Sequence, residues 1–276
     1  MRWIATVLAS AAMAALAGVS GPVHGQPSVS PPAAGRATEV DLQLVLAVDV
    51  SLSMDNEEQQ LQRQAYVAAF RDRLVHDAIR AGASGRIAVI YVEWSGDEEQ
   101  RIVIPWTLID SPEAATTFAA TLEAAPISRM RRTSISSAMN FAARLFDQSA
   151  YTAPRRVIDF SGDGSNNEGP PIAQTRDDLV QRGIVINGLP LVLDRTGTQM
   201  VGDQTVTLDM YYEQCVIGGA GSFLVAVRDI GEFRDALKTK LILEIASIQP
   251  DPDHMRVIPA SDTARPGLAC DGRFSF

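Results

Sequence analysis

Five apolar runs set the terms on which this chain can fold. LQLVLAV, RIAVIYVEW, RRVIDF, IVINGLPLVL and FLVAV are rich in β-branched residues, and stretches of helical periodicity lie between them. A strand that is apolar on both faces needs cover on both. Helical crossovers supply that cover when they return the chain to a parallel sheet. QRIVIPWT follows the second run after the short turn GDEE, too short for a crossover, so it pairs antiparallel as an edge strand. The expectation is a doubly wound, mostly parallel six-stranded α/β sheet with one antiparallel edge strand and helices on both faces.

The intervening stretches support this reading. From Asn56, Leu61, Ala65 and Ala69 form one stripe, with Tyr66, Phe70 and Leu74 beside it. Ser111, Pro112 and Glu113 are an N-cap, a first-turn proline and a first-turn acid. A helix over about residues 134 to 148 follows the basic loop SRMRRTS, and IAQTRDDLVQRG ends at Gly183.

The first 25 residues stand apart. Arg2 precedes an almost wholly apolar stretch from 4 to 19, and small residues follow, the layout of a Sec-type signal peptide cleaved after Gly25. The run is shorter than the ~20 residues of a membrane span, so no stable membrane anchor is expected after cleavage. Residues 26 to 40, rich in Pro, Ser, Ala and Gly, read as a linker. The domain itself spans 41 to 248, with a hairpin insertion at 194 to 208, and 249 to 276 form a C-terminal tail. Export to the periplasm or beyond makes Cys215 and Cys270 a candidate disulfide. Closing that loop stabilises the fold by about 4 kcal/mol in the chain-entropy view.

In such a sheet a ligand sits outside the carboxyl ends of the strands, where strand order reverses. Three loops placed to serve such a site carry clustered oxygens: Asp49-Val50-Ser51-Leu52-Ser53, Arg132-Thr133-Ser134 and Ser161-Gly162-Asp163-Gly164. Two carboxylates with several hydroxyls form an oxygen-only donor set, which suits Mg²⁺ or another hard cation rather than zinc. Taken alone, Thr133 and Ser134 also read as ordinary caps of the helix that follows.

The Asp49, Ser51 and Ser53 pattern, with Thr133 before a helix and Asp163 in FSGDGSN, resembles a von Willebrand factor type A domain, over about residues 41 to 247. The stretch DMYYEQCVIGG is similar to a group of exported bacterial proteins built on that domain, a group without an established function. The resemblance implies a metal-ion-dependent adhesion site (MIDAS) formed by Asp49, Ser51, Ser53, Thr133 and Asp163. It implies Mg²⁺, with Mn²⁺ or Ca²⁺ as substitutes. Neutral hydroxyls leave positive charge uncompensated, so the open coordination position favours an anion, supplied by an Asp or Glu of a partner protein.

Other chemistries fit less well. Net charge is −9, one of the positive charges being Arg2 of the leader, and an acidic chain repels nucleic-acid phosphates. Only His76 and His254 follow the leader, and no G-x-S-x-G is present, which argues against serine hydrolysis and against zinc. DFSGDGSNN begins like a calcium loop, but Pro170 stands where a bidentate glutamate is needed. No catalytic base or nucleophile is evident, so no enzyme is expected. The competing reading, a metal-dependent phosphoester hydrolase, has only Glu168 or Asp55 to offer as a base. A scaffold with a vestigial site is a third. Arg129, Arg131 and Arg132 beside Thr133 form either a rim that attracts an acidic partner or a solvated loop.

Overall fold

A computed structural model describes residues 37–193, 198–201, 203–247, 257–259 and 268–271. The expected leader, most of the linker and His254 lie outside the described residues.

The chain opens with β1 (Thr38–Glu39), then β2 (Leu42–Asp49), helices α1 (Asn56–Arg71) and α2 (Arg73–Arg80), and strands β3 (Ile87–Trp94) and β4 (Gln100–Ile109). Helices α3 (Pro112–Ala124) and α4 (Ile135–Asp147) lead to β5 (Tyr151–Thr152), β6 (Arg156–Gly162), α5 (Ile172–Gln181) and β7 (Ile184–Pro190). A hairpin of β8 (Thr198–Val201) and β9 (Gln204–Thr207) runs into α6 (Leu208–Tyr211) and a π-helical turn, Tyr212–Val216. The described chain continues with β10 (Phe223–Val225), α7 (Phe233–Ala246) and β11 (Val257–Pro259).

The main sheet has the order β11-β10-β7-β6-β2-β3-β4. Strands β10, β7, β6, β2 and β3 are parallel, and β4 returns antiparallel beside β3, as the GDEE turn requires. The six expected strands are all present. A seventh, β11, comes from the segment read as tail and pairs antiparallel with β10. Residues 38 and 39, read as the end of the linker, pair instead with β5.

Alternation along β2 divides the interior. Leu42, Leu44, Leu46 and Val48 face one core with Tyr66, Phe70, Phe118 and Leu237, from α1, α3 and α7. Val45 and Ala47 face a second core with Met139, Phe146, Leu179 and Tyr212, from α4, α5 and the π turn. The helices begin where local chemistry allows. Asp55 and Glu58 form a reciprocal capping box at α1, and Ser111 caps α3 ahead of Pro112. Helix α5 opens after Pro171, which gives no side-chain cap, and its Ile172 N–H donates instead to Asp271 Oδ1 at 2.6 Å. The Cys215–Cys270 disulfide, formed as expected, holds Asp271 there from the far end of the chain.

Two charged clusters are buried in this frame. Glu93, wholly enclosed at the end of β3, accepts from Arg63 and Arg101. Arg63 also donates to Leu122 O (3.0 Å) and Ala125 O (2.9 Å), closing the last turn of α3. On α7, Lys240 donates to Asp159 of β6 and to Glu244 one turn on, all three out of contact with water. One ammonium balances one carboxylate. Burial, and then the Asp159 charge, push the Glu244 carboxyl up to about 7.

Below that value the folded protein holds a proton that the unfolded chain, with an ordinary glutamate near ~4.3, has released. This group's contribution is full at acid pH, falls as pH rises from ~4.3 to about 7, and levels off above. Glu244→Gln keeps the accepting oxygen and removes the titration. In urea unfolding it should gain about 1–3 kcal/mol over the wild type at pH 8 and little at pH 5. Replacing both Cys215 and Cys270 with serine should cost about 2–4 kcal/mol in the same assay.

Candidate functional site

Strands β2 and β6 lie side by side in the middle of the sheet, and the chain leaves them in opposite directions, β2 toward β3 and β6 toward β7. Their carboxyl ends are the switch point where an open α/β sheet forms a crevice. All three oxygen-rich loops converge there.

Asp49 ends β2 with no exposure to solvent, and its Oδ1 accepts from Ser51 N–H at 2.7 Å. Ser51, also buried, lies 2.7 Å hydroxyl to hydroxyl from Ser53, and Ser53 Oγ donates to Asp163 Oδ1 at 2.7 Å. A continuous line of side-chain oxygens thus runs from the interior to the exposed Ser53. Two glutamines on α1 hold the loop from below. Gln62 Nε2 donates to Asp49 O (3.2 Å) and Gln59 Nε2 to Ser51 O (3.3 Å).

The second loop is pinned to the first by a backbone bridge between Ser51 and Met130. Ser95 Oγ, at the end of β3, donates to the carbonyls of Arg131 and Arg132. Ser134 rather than Thr133 caps α4. Thr133 is thereby released from the capping role that its sequence position also suited. Its backbone zips onto Asn167, accepting at 2.9 Å and donating at 3.2 Å, and its side chain, methyl and hydroxyl alike, lies against Gly164. Asn166 Oδ1 accepts from Ser136 N–H (3.0 Å), and Asn166 N–H donates to Tyr211 OH (3.1 Å). The hairpin β8–β9 completes the frame. Gln199 on β8 donates to Asp163 O and accepts from Ser165 N–H, each at 2.8 Å.

Of the five residues expected as ligands, Asp49, Ser51, Ser53 and Asp163 are joined by hydrogen bonds and close approach, and Thr133 stands beside them against Gly164. The clearest sign of what they suit is an unused atom. Asp49 Oδ2 is buried and has no hydrogen bond among the described residues, and the same is true of Tyr212 OH and Ser161 Oγ. Burial, and then the charge of Asp163, push the Asp49 carboxyl up to about 8, against the lowering by the Ser51 N–H and, more weakly, the Asp163 N–H. Burial and the charges of Asp49 and Asp163 raise the Tyr212 phenol well above its ordinary value. A buried carboxylate with a spare oxygen, a second carboxylate and three hydroxyls is a donor set for a hard cation, and a cation removes the repulsion between the two acids. Among the described residues no three His, Cys, Asp or Glu side chains cluster, so the two carboxylates would need neutral oxygen to complete any such shell.

Arg129, Arg131 and Arg132 are all exposed beside the site. Arg129 donates to Met54 O at 2.9 Å, and Arg132, in a left-handed backbone conformation (φ 67°), pairs with Glu168 at 2.7 Å. Asp55 is engaged as the α1 cap. Sequence reading missed Gln59, Gln62, Ser95, Asn166, Asn167, Gln199 and Tyr212. The run Ser165-Asn166-Asn167 after Asp163 was the one signal available, since asparagine side chains mimic backbone groups in turns.

The family model described as "Protein of unknown function (DUF1194)" matches residues 39–249, and the chain belongs to that family. No curated protein matches the sequence. Among solved structures, proximal thread matrix protein 1 from the mussel byssus, described with a zinc-occupied MIDAS motif, shares the fold at a TM-score of 0.56. Its identity is 13%, over 76% of this chain and 48% of its own. A second crystal form of that protein matches at 0.54, with 14% identity over 76% of this chain and 49% of its own. A von Willebrand factor type A protein from Catenulispora acidiphila matches at 0.49, with 14% identity over 75% of this chain and 43% of its own. The chain spans about half the length of the mussel protein it matches. At these identities the likeness is one of fold, and the fold is von Willebrand factor type A-like.

Gly162 is the close point of the site. A methyl group there would stand 2.9 Å from Asp49 Oδ2 and 3.0 Å from Tyr212 OH. Gly162→Ala should lower stability by about 1–3 kcal/mol, read by urea unfolding. Gly164→Ala, whose methyl meets Thr133 at an ordinary 3.5 Å, should be milder.

Proposed function

We propose that this chain is an exported binding protein that holds one Mg²⁺ with Asp49, Ser51, Ser53, Thr133 and Asp163. The cation's open position takes a carboxylate from a partner protein. Mn²⁺ or Ca²⁺ would substitute. The observation that carries this reading is the orphaned, fully buried Oδ2 of Asp49 at the head of a line of oxygens leading to solvent.

Three further observations support it. A protein of the same fold is described with an occupied MIDAS motif. The donors in this chain are all oxygens, which favours Mg²⁺ over the zinc in that description. The acids that a hydrolase would need as a base are engaged elsewhere, Asp55 as a helix cap and Glu168 with Arg132. Export rests on the signal-like first 25 residues and on the Cys215–Cys270 disulfide, a bond favoured in oxidising compartments. No described helix is long and apolar enough to cross a membrane.

When bound, the cation supplies Lewis acidity and an exposed positive charge. The chain's own residues position it. Gln62 and Gln59 fix the first loop, Asn167 fixes Thr133, and Gln199 fixes the Asp163 backbone. Calorimetry on the purified, chelator-treated protein should show uptake of one Mg²⁺, weakened at least tenfold in Asp49→Ala and in Ser51→Ala. Unchanged uptake by Asp49→Ala would refute the site. Capture of a partner from an exported-protein extract should be lost in EDTA and restored by Mg²⁺. Capture indifferent to EDTA would point to a scaffold instead.

A further inference from the structure

Beside the oxygen cluster lies a cavity of about 320 Å³. It shares Ser53 and Asp163 with the proposed metal site, and most of its other lining residues are aliphatic, a buried floor with Leu193 as its partly exposed member. Met54 follows the first loop, Leu191 and Leu193 follow β7, and Leu208 opens α6. Gln199 also lines it, and each end of its amide makes one bond to the Asp163 loop. Glu58 supplies the remaining charge, and no lining residue is basic.

We propose that this groove reads the residue next to the metal-bound carboxylate, and that it selects a partner segment pairing an acidic residue with a large aliphatic neighbour. The inference rests on the metal-binding reading and adds to it which partners fit. Its basis is continuity. A group ligated at the Ser53–Asp163 end has the groove as its nearest concave surface, so what is attached to that group lies along Met54, Leu191 and Leu193. A second anion there would meet Glu58, and the one cation, at the Asp163 end, is already engaged by the first carboxylate. An aliphatic side chain gains by leaving water, and the volume lies at the small end of the range for ligand pockets, room for one such side chain with its backbone. The hairpin β8–β9 supplies one wall through Gln199, so it does two things at once: it fixes Asp163 and bounds the groove. Leu52, between the two ligand serines, adds an exposed aliphatic side chain to the same loop.

The test uses the full mature chain loaded with Mg²⁺ and blocked dipeptides, acetylated and amidated, as probes. Aspartate is paired in both orders with leucine, with glycine and with lysine, and binding is followed by NMR titration. One of the two leucine peptides should bind at least tenfold tighter than its glycine counterpart, and the lysine peptides should bind no better than glycine. In Leu193→Asp the leucine preference should shrink to twofold or less while Mg²⁺ uptake, measured separately by calorimetry, stays at the wild-type value. Leu193 is only partly buried, and should the aspartate variant fail to fold, Leu193→Ala should reduce the preference about threefold. Mg²⁺ uptake with equal binding of the leucine and glycine peptides would overturn the groove and leave the metal site standing. A lysine peptide that matches the leucine peptide would overturn the aliphatic assignment. Absence of Mg²⁺ uptake would overturn both.

Discussion

A carboxyl group without access to water has to be neutralised, by a proton or by a cation, and much of this molecule is arranged around one such group. Asp49 stands at the end of the central strand β2, wholly buried, with one oxygen on the Ser51 N–H and the other on nothing. Fixing it there requires the neighbouring strand to end in Gly162, because any side chain would collide with it. Tyr212, on the π-helical turn, brings its phenol up to the same glycine from the second core. The second acid, Asp163, is brought up by the strand that carries Gly162, and the repulsion between the two is the electrostatic condition a divalent cation relieves.

Precision at such a site comes from the layer behind the donors. Amides do most of this work here. Gln59 and Gln62 reach up from α1, Asn166 and Asn167 cross between the third loop and the second, and Gln199 reaches across from the hairpin. A neutral amide can satisfy a backbone donor or acceptor without adding charge beside a cation. Three loops far apart in sequence are thereby joined into one rigid cup, while the side toward Ser53 stays open to solvent.

The rest of the fold is held by different means. Lys240, Asp159 and Glu244 tie α7 to β6 through a buried cluster with one more acid than base, and the excess is met by raising the Glu244 carboxyl toward neutrality. The chain's last described residues are drawn back by the disulfide, and Asp271 then caps α5, which starts at a proline and has no cap of its own. Removing Lys240 from such a buried cluster would be costly, because the two acids left behind have no water to turn to.

Much of this was legible in the sequence, for identifiable reasons. The alternation and apolarity of LQLVLAV and its relatives dictate strands covered on both faces, and the short GDEE turn dictates the antiparallel edge. The D-x-S-x-S spacing and the strand-end Asp163 mark the donor loops because their chemistry is local: an aspartate after an apolar strand is out of place unless it is used. Ser134 and Thr133 show where local reading stops. Both suit an N-cap, and only packing against Asn167 and Ser95 decides that Ser134 takes the helix and Thr133 faces the site. The same holds for Tyr212, Gln199, Lys240 and the strand β11, whose partners are tens of residues away. The sequence by itself determined which residues can serve as strands, caps and oxygen donors, because those properties belong to a few adjacent residues. Which donors meet, which acids keep an unused oxygen and what lies beside them are settled only on folding, because distance and burial are properties of the folded chain alone.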